Sequence, residues 1–397
     1  MFDNEEERQQ QFPITRKRHY FSHAAVGPLP AYVHQAATAF LQAHADLGDA
    51  HWRTTGPLME TVRATLAEML RVQTHEIAFT RNVSEGISLL ASGLDWKPGD
   101  NVVLSDLEFP ANVYPWMNLD KFGVETRFCR CPGQKFSLTE LREKIDERTR
   151  VVSVSSVQFL NGFRPDLQAI GHFCRQAGIV FCVDAIQQLG AIPLDMARDQ
   201  IDFLACGGHK WLMSGEGIGF VACTTNLAET LRPTNVGWQG VKQWEDPFDR
   251  RFDYKPGALR FETGTVSAIG IHCLNASLKG IARFGPDNIA QQVRENSAFL
   301  LREIRQRSFE TITDDSFVSR KTDPASGTLA AGESLEARLS GIVSFRLPGV
   351  AATRVQEFLE SQQISVTIRG GYIRLAPHFY NTRQELARLF ELLDQEF

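Results

Sequence analysis

Over residues 58–306, short apolar runs alternate with stretches whose apolar positions recur at helical spacing. In LMETVRATLAEML, Leu58, Val62, Leu66, Met69 and Leu70 fall on one predicted helical face. Strand-like runs follow at IAFT (77–80), NVVLS (101–105), VVSVSSV (151–157), IVFCVD (179–184), DFLAC (202–206) and GIGFVAC (217–223). Helical patterns separate most of them, as in DLQAIGHFCRQAG (166–178). Such alternation predicts an α/β domain built around a mainly parallel sheet.

From 274 to 307 the pattern is helical again, with a break near Gly285-Pro286. The stretch 314–334, rich in Ser, Gly and Asp, reads as a surface loop. A strand GIVSFRL (341–347), a helix Thr353–Gln362 and a strand ISVTIR (364–369) predict a small second domain. Thr382 with Glu385 predicts a capping box for a last helix, with Leu386, Leu389, Phe390 and Leu393 facing inward. The expected division is a segment 1–35 lying across the cleft, a large domain 36–285 and a small one 286–397. A chain of 397 residues suits one large core and a lesser one.

The charge balance narrows the partners. With 42 basic and 47 acidic residues the net charge is −5, which gives no footprint for nucleic acid or an acidic membrane. Nothing reads as a membrane span, and the polar, acidic start MFDNEEERQQQF is unlike a signal peptide. Cysteines occur at 129, 131, 174, 182, 206, 223 and 273, several inside apolar runs. They read as reduced, buried thiols of a cytoplasmic protein. The Cys129/Cys131 pair lacks a second pair at zinc-ligand spacing, so no metal is expected.

Three short segments carry candidate chemistry. In GGHKWL (207–212), Lys210 follows an apolar strand and two glycines. A lysine so placed is either a snorkelling strand-end residue or an imine-forming amine with a depressed pKa. In VDAIQ (183–187), Asp184 ends another apolar strand, where a carboxylate without a partner is costly. A pyridoxal-phosphate ring would supply that partner, because the carboxylate keeps the pyridine nitrogen protonated. One crossover can set both residues at the same sheet edge, where open α/β sheets bind ligands. In IAFTRNVSEGIS (77–88), Asn82 with Glu85 looks like a helix cap. The N–H groups of Val83 and Ser84 would then face a phosphate, although any capped helix start looks similar.

These residues also carry a family resemblance that spans about residues 20–385. HAAVGPLP (23–30), RNVSEGI (81–87), EFPANVYPW (108–116), VDAIQ (183–187), GHKW (208–211), RFETGT (260–265) and RLAPHFYNT (374–382) resemble the class V aminotransferases. That family includes cysteine desulfurases, selenocysteine lyases, kynureninases and isopenicillin N epimerase-like proteins. The resemblance implies an α/β, fold-type I pyridoxal-phosphate enzyme. Its large domain would hold a mainly parallel seven-stranded sheet, with a smaller α+β domain at the C-terminus. It further implies that Lys210 forms the Schiff base, Asp184 holds the ring nitrogen and Gln187 donates to the ring hydroxyl. Val83, Ser84 and His209 would hold the phosphate, and Thr265 would reach the phosphate of a neighbouring subunit in a homodimer. Arg374 would grip the substrate α-carboxylate, or else form a surface ion pair.

The departures bear on the reaction. Phe109 stands where desulfurases have a ring-stacking histidine; it can stack but cannot titrate. Gly207 replaces a serine common before GHK. Gln158 lies where the family often has a polar residue on the ring. No cysteine follows Cys273, which disfavours a persulfide-forming desulfurase. The expected activity is a β-lyase on an amino acid, with transamination and epimerisation as alternatives. A cofactor-binding protein without turnover is the reading from outside enzymology. His23, Trp116, Trp238 and Tyr372 are either pocket walls or core aromatics.

Overall fold

The computed structural model describes residues 2–243, 245–246, 248–314 and 338–397. Its strands, in chain order, are His19–Tyr20 (β1), Ile77–Thr80 (β2), Asn101–Ser105 (β3), Glu125–Cys129 (β4), Thr149–Ser155 (β5), Val180–Asp184 (β6) and Phe203–Gly207 (β7). There follow Gly219–Cys223 (β8), Glu310–Thr311 (β9), Val343–Arg346 (β10), Ile364–Ser365 (β11), Thr367–Arg369 (β12) and Tyr372–Leu375 (β13).

Seven strands form the central sheet in the order β2-β8-β7-β6-β5-β3-β4. Strands β3 to β7 pair in parallel, and β8 runs antiparallel to both of its neighbours. Side chains of successive strand residues point to opposite faces, and here both faces are apolar. Val152, Val154, Phe181, Val183 and Leu204 enter one core with the helices Trp52–Leu70, Leu167–Ala177 and Ala268–Phe284. Val151, Cys182, Phe203, Ala205 and Val221 enter the other, against the helix Val83–Gly93. This double burial is why the strands read as nearly unbroken apolar runs.

Several elements lie outside the expected pattern, an edge strand and a long helix among them. The edge strand β4 (ETRFC) pairs only with β3, and most of its side chains are partly or fully exposed. Without a consistently buried face it lacks the alternation that marks a strand. The helix Ala31–Leu47 was not foreseen either; it buries only Val33 and Phe40 and packs on Ala268–Phe284. Val62, Leu66 and Leu70 are buried as expected, and Gly285 (φ 83°) with Pro286 separates the two long helices 268–284 and 286–306.

The C-terminal part builds a four-stranded antiparallel sheet, β12-β13-β10-β9. Val343, Phe345, Ile373 and Leu375 pack with Leu389 and Phe390 of the helix Arg383–Glu396. Thr382 and Glu385 form the reciprocal capping box expected of them. The predicted single strand ISVTIR is broken at Val366. Its first half, β11, pairs in parallel with β1, and its second half, β12, pairs with β13. The helix Pro286–Gln306 serves both cores: Ile289 and Val293 lie in the large one, Leu300 and Ile304 in the small one. All but Asp314 of the loop expected at 314–334 lies outside the described residues.

The first part of the chain joins these bodies. Phe21 sits in the small core and accepts from Ala376 N–H at 2.7 Å, while Gly27 N–H donates to His209 at 2.7 Å. Among the described residues, no helix is long and apolar enough to cross a membrane.

Candidate active site

Asp184 ends β6 and pairs in register with Ala205 of β7, whose end leads to Lys210 three residues beyond. Asp184 is almost fully buried and accepts the Ile186 N–H at 3.0 Å. Burial pushes its pKa up to about 6, against the pull of that N–H and of Lys210. Burial likewise brings the Lys210 amine down to about 8. Attraction to Asp184 opposes this, and the nearby Arg374 and Arg369 cations add to it. The Phe109 ring lies over the amine, 5.5 Å from centroid to Nζ, and meets Phe159 edge-on at 5.2 Å.

The lysine loop is held closely. Met213 donates its N–H to the Lys210 carbonyl at 3.0 Å while its own backbone is left-handed, at φ 52°. A non-glycine residue at such an angle stores strain that its surroundings must hold. A Cβ on Gly27 would stand 2.2 Å from the Lys210 carbonyl oxygen, so only glycine lets the N-terminal segment approach here. His209 is half-buried, and burial lowers its pKa.

At the start of the helix Val83–Gly93, Asn82 accepts the Glu85 N–H at 2.9 Å. The N–H groups of Val83 and Ser84 belong to the first turn and have no intrahelical acceptor. Glu85 does not complete a capping box with Asn82, contrary to expectation. Its carboxylate reaches one residue further back, to the Arg81 N–H at 2.6 Å, and pairs with the Arg81 guanidinium.

Glu108 was not singled out in the sequence, yet it organises the floor beside Phe109. Its buried carboxylate accepts from Ser105 Oγ at 2.9 Å, Asn112 Nδ2 at 2.9 Å and Ser155 N–H at 3.0 Å. Ser155 Oγ also donates to it, and so does Gln158 Nε2 at 2.8 Å. The carboxylate therefore claims the amide nitrogen of Gln158, whose buried Oε1 has no partner. Gln187 is also committed within the protein. Its Nε2 donates to the Ala24 carbonyl at 3.0 Å, and its Oε1 accepts the Trp211 indole N–H at 2.9 Å.

Arg374 comes from β13 and is 1% exposed. Its Nη1 donates to the Phe159 carbonyl at 2.6 Å and its Nε to Thr367 Oγ1 at 3.2 Å, while the buried Nη2 has no partner. No carboxylate among the described residues pairs with it, and burial lowers its pKa to about 9. The alternative of a surface ion pair is thereby excluded.

The RFETGT segment divides its work. Glu262 is buried against Arg63 at 2.9 Å and accepts the Phe79 N–H at 3.0 Å, a structural role that sequence reading missed. Thr265 is exposed, just before the helix that Ser267 caps.

Two of the four aromatic candidates are interior residues rather than pocket walls. Trp116 is fully buried and donates to Asn112 at 3.1 Å, because it fills the core beneath the Glu108 network. His23 is fully buried between Tyr380 OH at 2.7 Å and the Ala376 carbonyl at 2.9 Å. Trp238 is 49% exposed, and Tyr372 is partly exposed beneath the Arg346 guanidinium. All seven cysteines are free and buried.

This cluster fits pyridoxal phosphate. It offers a desolvated amine for the aldehyde and a buried carboxylate with one N–H partner for the ring nitrogen. A helix start can take the phosphate. The orphaned Nη2 of Arg374 and Oε1 of Gln158 are buried polar atoms that a bound cofactor and substrate can satisfy.

Comparisons with known proteins agree. A family model described as Aminotransferase class-V matches residues 19–385. The chain is 26% identical over 418 residues to a probable cysteine desulfurase of Methanothermobacter thermautotrophicus, covering 100% of this chain and 98% of the relative. It is 28% identical over 385 residues to the isopenicillin N epimerase of Streptomyces clavuligerus, covering 93% and 92% respectively. Among solved structures, the cystine C–S lyase C-DES with its product cysteine persulfide matches with a TM-score of 0.86. The identity is 25%, over 97% of this chain and 99% of that one.

Proposed function

The chain belongs to the class V aminotransferase family, and from that membership we propose that it is a C–S β-lyase acting on an amino acid. Membership carries the α/β fold-type I architecture and dependence on pyridoxal phosphate. The observation that carries the substrate class is Arg374. A buried guanidinium with an unpartnered Nη2 needs an anion, and a planar α-carboxylate matches its fork.

In this reading Lys210 holds the cofactor aldehyde and Asp184 the ring nitrogen. The N–H groups of Val83 and Ser84, with His209, hold the phosphate. Gln187 and Gln158 flank the ring, Phe109 covers it, and Thr265 completes the site of a second copy. The exposed Val236, Trp238, Phe248 and Phe252 (49%, 49%, 82% and 60%) offer such a copy an apolar surface. The bound cofactor supplies an electron sink for the pair left at Cα. Arg374 fixes the substrate carboxylate, and the Lys210 amine, once displaced, takes the Cα proton. Its pKa near 8 suits that task at neutral pH. Phe109 excludes water but carries no nitrogen that could move a proton.

Loss of a sulfur leaving group from Cβ fits the absence of a sulfur acceptor. The last cysteine in the chain is Cys273, and only Gly370 and Gly371 separate β12 from β13. The named activity of C-DES, a cystine C–S lyase, supports the same reaction class. Epimerisation is the second reading, supported by the similarity to an isopenicillin N epimerase along nearly the whole chain. Transamination remains the third.

The test is to load the protein with pyridoxal phosphate and mix it with cystine and a panel of amino acids. Release of pyruvate and a sulfur product supports the lyase. Conversion of the cofactor to its amine form marks a transaminase, and solvent deuterium at Cα without net product marks an epimerase. A protein that gains no Schiff-base absorption, or keeps it in Lys210→Ala, overturns the whole reading.

A further inference from the structure

Trp211 follows Lys210 directly, is fully buried, and touches three separate parts of the chain. Its indole N–H donates to Gln187 Oε1 at 2.9 Å, and its carbonyl accepts from His378 Nε2 at 3.0 Å. His378 Nδ1 accepts the Phe379 N–H at 2.8 Å, which leaves the proton on Nε2 and fixes the neutral tautomer. Two glycines make room for the tryptophan. A Cβ on Gly341 would stand 2.2 Å from the indole, and one on Gly190 would stand 2.4 Å from the Trp211 carbonyl. Trp211 therefore has one place to be, and its N–H one direction in which to point.

An indole N–H only donates and the Ala24 carbonyl only accepts, so both partners demand the same orientation of the Gln187 carboxamide. Turned over, the amide would set oxygen against oxygen and N–H against N–H. In the fixed orientation Nε2 gives one N–H to Ala24 and keeps the second. We propose that Trp211 is a positioning residue, which locks the Gln187 amide so that its remaining N–H is presented to the cofactor ring oxygen. This rests on the pyridoxal-phosphate reading above.

The consequence can be read in a spectrum. A hydrogen bond donated to the ring oxygen stabilises its anionic form and weakens its hold on the Schiff-base proton. Without that donor the oxygen holds the proton more tightly, so the Schiff base titrates at higher pH. Losing the N–H of Trp211 frees Gln187 to turn, with the Ala24 carbonyl as the only remaining guide.

The experiment is a spectral pH titration of the cofactor-loaded, substrate-free protein. Gln187→Ala should raise the Schiff-base midpoint by about one pH unit, and Trp211→Phe by about half a unit. Adding Trp211→Phe to Gln187→Ala should produce no further shift. If Trp211→Phe does not fold, site-specific replacement of the indole by a benzothiophene, equal in shape but without N–H, serves in its place. An unchanged midpoint in the substituted protein overturns the proposal, as does a shift that persists in the Gln187→Ala background. A wild-type protein that forms no Schiff base overturns the cofactor reading instead, so the two failures are distinct.

Discussion

The amine of Lys210 lies 5.5 Å from the centre of the Phe109 ring, so a titrating amine lies against a ring that cannot itself titrate. Phe109 lends hydrophobic cover and polarisable contact, and it leaves proton traffic to its neighbour.

The pH dependence of cofactor capture follows from that lysine. Only the free amine attacks an aldehyde, and burial brings its pKa from 10.5 down to about 8. The rate at which cofactor-free protein forms a Schiff base should rise through about pH 8 and then level off. An ordinary lysine would keep gaining to near pH 10.5. The stability sign runs the same way. The charged amine is disfavoured in the folded state, so its cost is present in full below about pH 8 and fades toward 10.5. Stopped-flow absorbance across this range checks the rate; a steady rise beyond pH 9.5 would refute the assigned environment.

Arg374 should trade stability for binding. Substitution Arg374→Met removes an unpaired buried charge and should leave the ligand-free protein as stable as before or more so. It should also abolish thermal stabilisation by substrate and raise KM by roughly two orders of magnitude, or about 2–4 kcal/mol. Thermal shift with and without amino acid separates the two effects. A fall in stability together with an unchanged KM would contradict the carboxylate role.

Glu108 should behave as the keystone of the floor. In Glu108→Gln an amide N–H must face one of the donors from Ser105, Asn112, Ser155 or Gln158, which leaves buried groups mismatched. The expected loss is about 2–3 kcal/mol, read from urea midpoints. Ser105→Ala, which removes one donor among several, should cost much less.

The Arg63–Glu262 pair makes a separate stability prediction. Glu262→Ala leaves Arg63, whose side chain is 3% exposed, with only the largely exposed Glu60 at 3.4 Å as a carboxylate partner, and should cost about 3 kcal/mol. The double substitution Glu262→Leu with Arg63→Met should recover most of that loss. If the single and double variants were equally unstable, the pair would matter for packing rather than for charge.

How much of this was legible beforehand depends on where each residue sits. Asp184 and Lys210 stood out because each ends an apolar strand, where a charge is conspicuous. Arg374 stood out through its resemblance to a family motif, but that it is buried and unpaired is a tertiary fact. Glu108 escaped notice because its meaning lies in donors from residues 105, 112, 155 and 158, which only the fold collects. Trp211 read as part of a lysine motif, and its partner Gln187 stands on another loop. Strand β4 escaped because an edge strand wet on several positions leaves no apolar alternation to detect.

The N-terminal segment has a consequence for how the molecule is made. His23 hydrogen-bonds to Tyr380, 357 residues later, and between those contacts runs the stretch that braces the Lys210 carbonyl at Gly27. On a ribosome, residues near 23 must wait until those near 380 emerge before they can pair. The large sheet can assemble during translation, but the lysine loop gains its full brace only once Ala376 and Tyr380 have emerged. The surroundings of Lys210 are thereby completed late in folding, and a chain cut before Ala376 would carry the lysine without that brace.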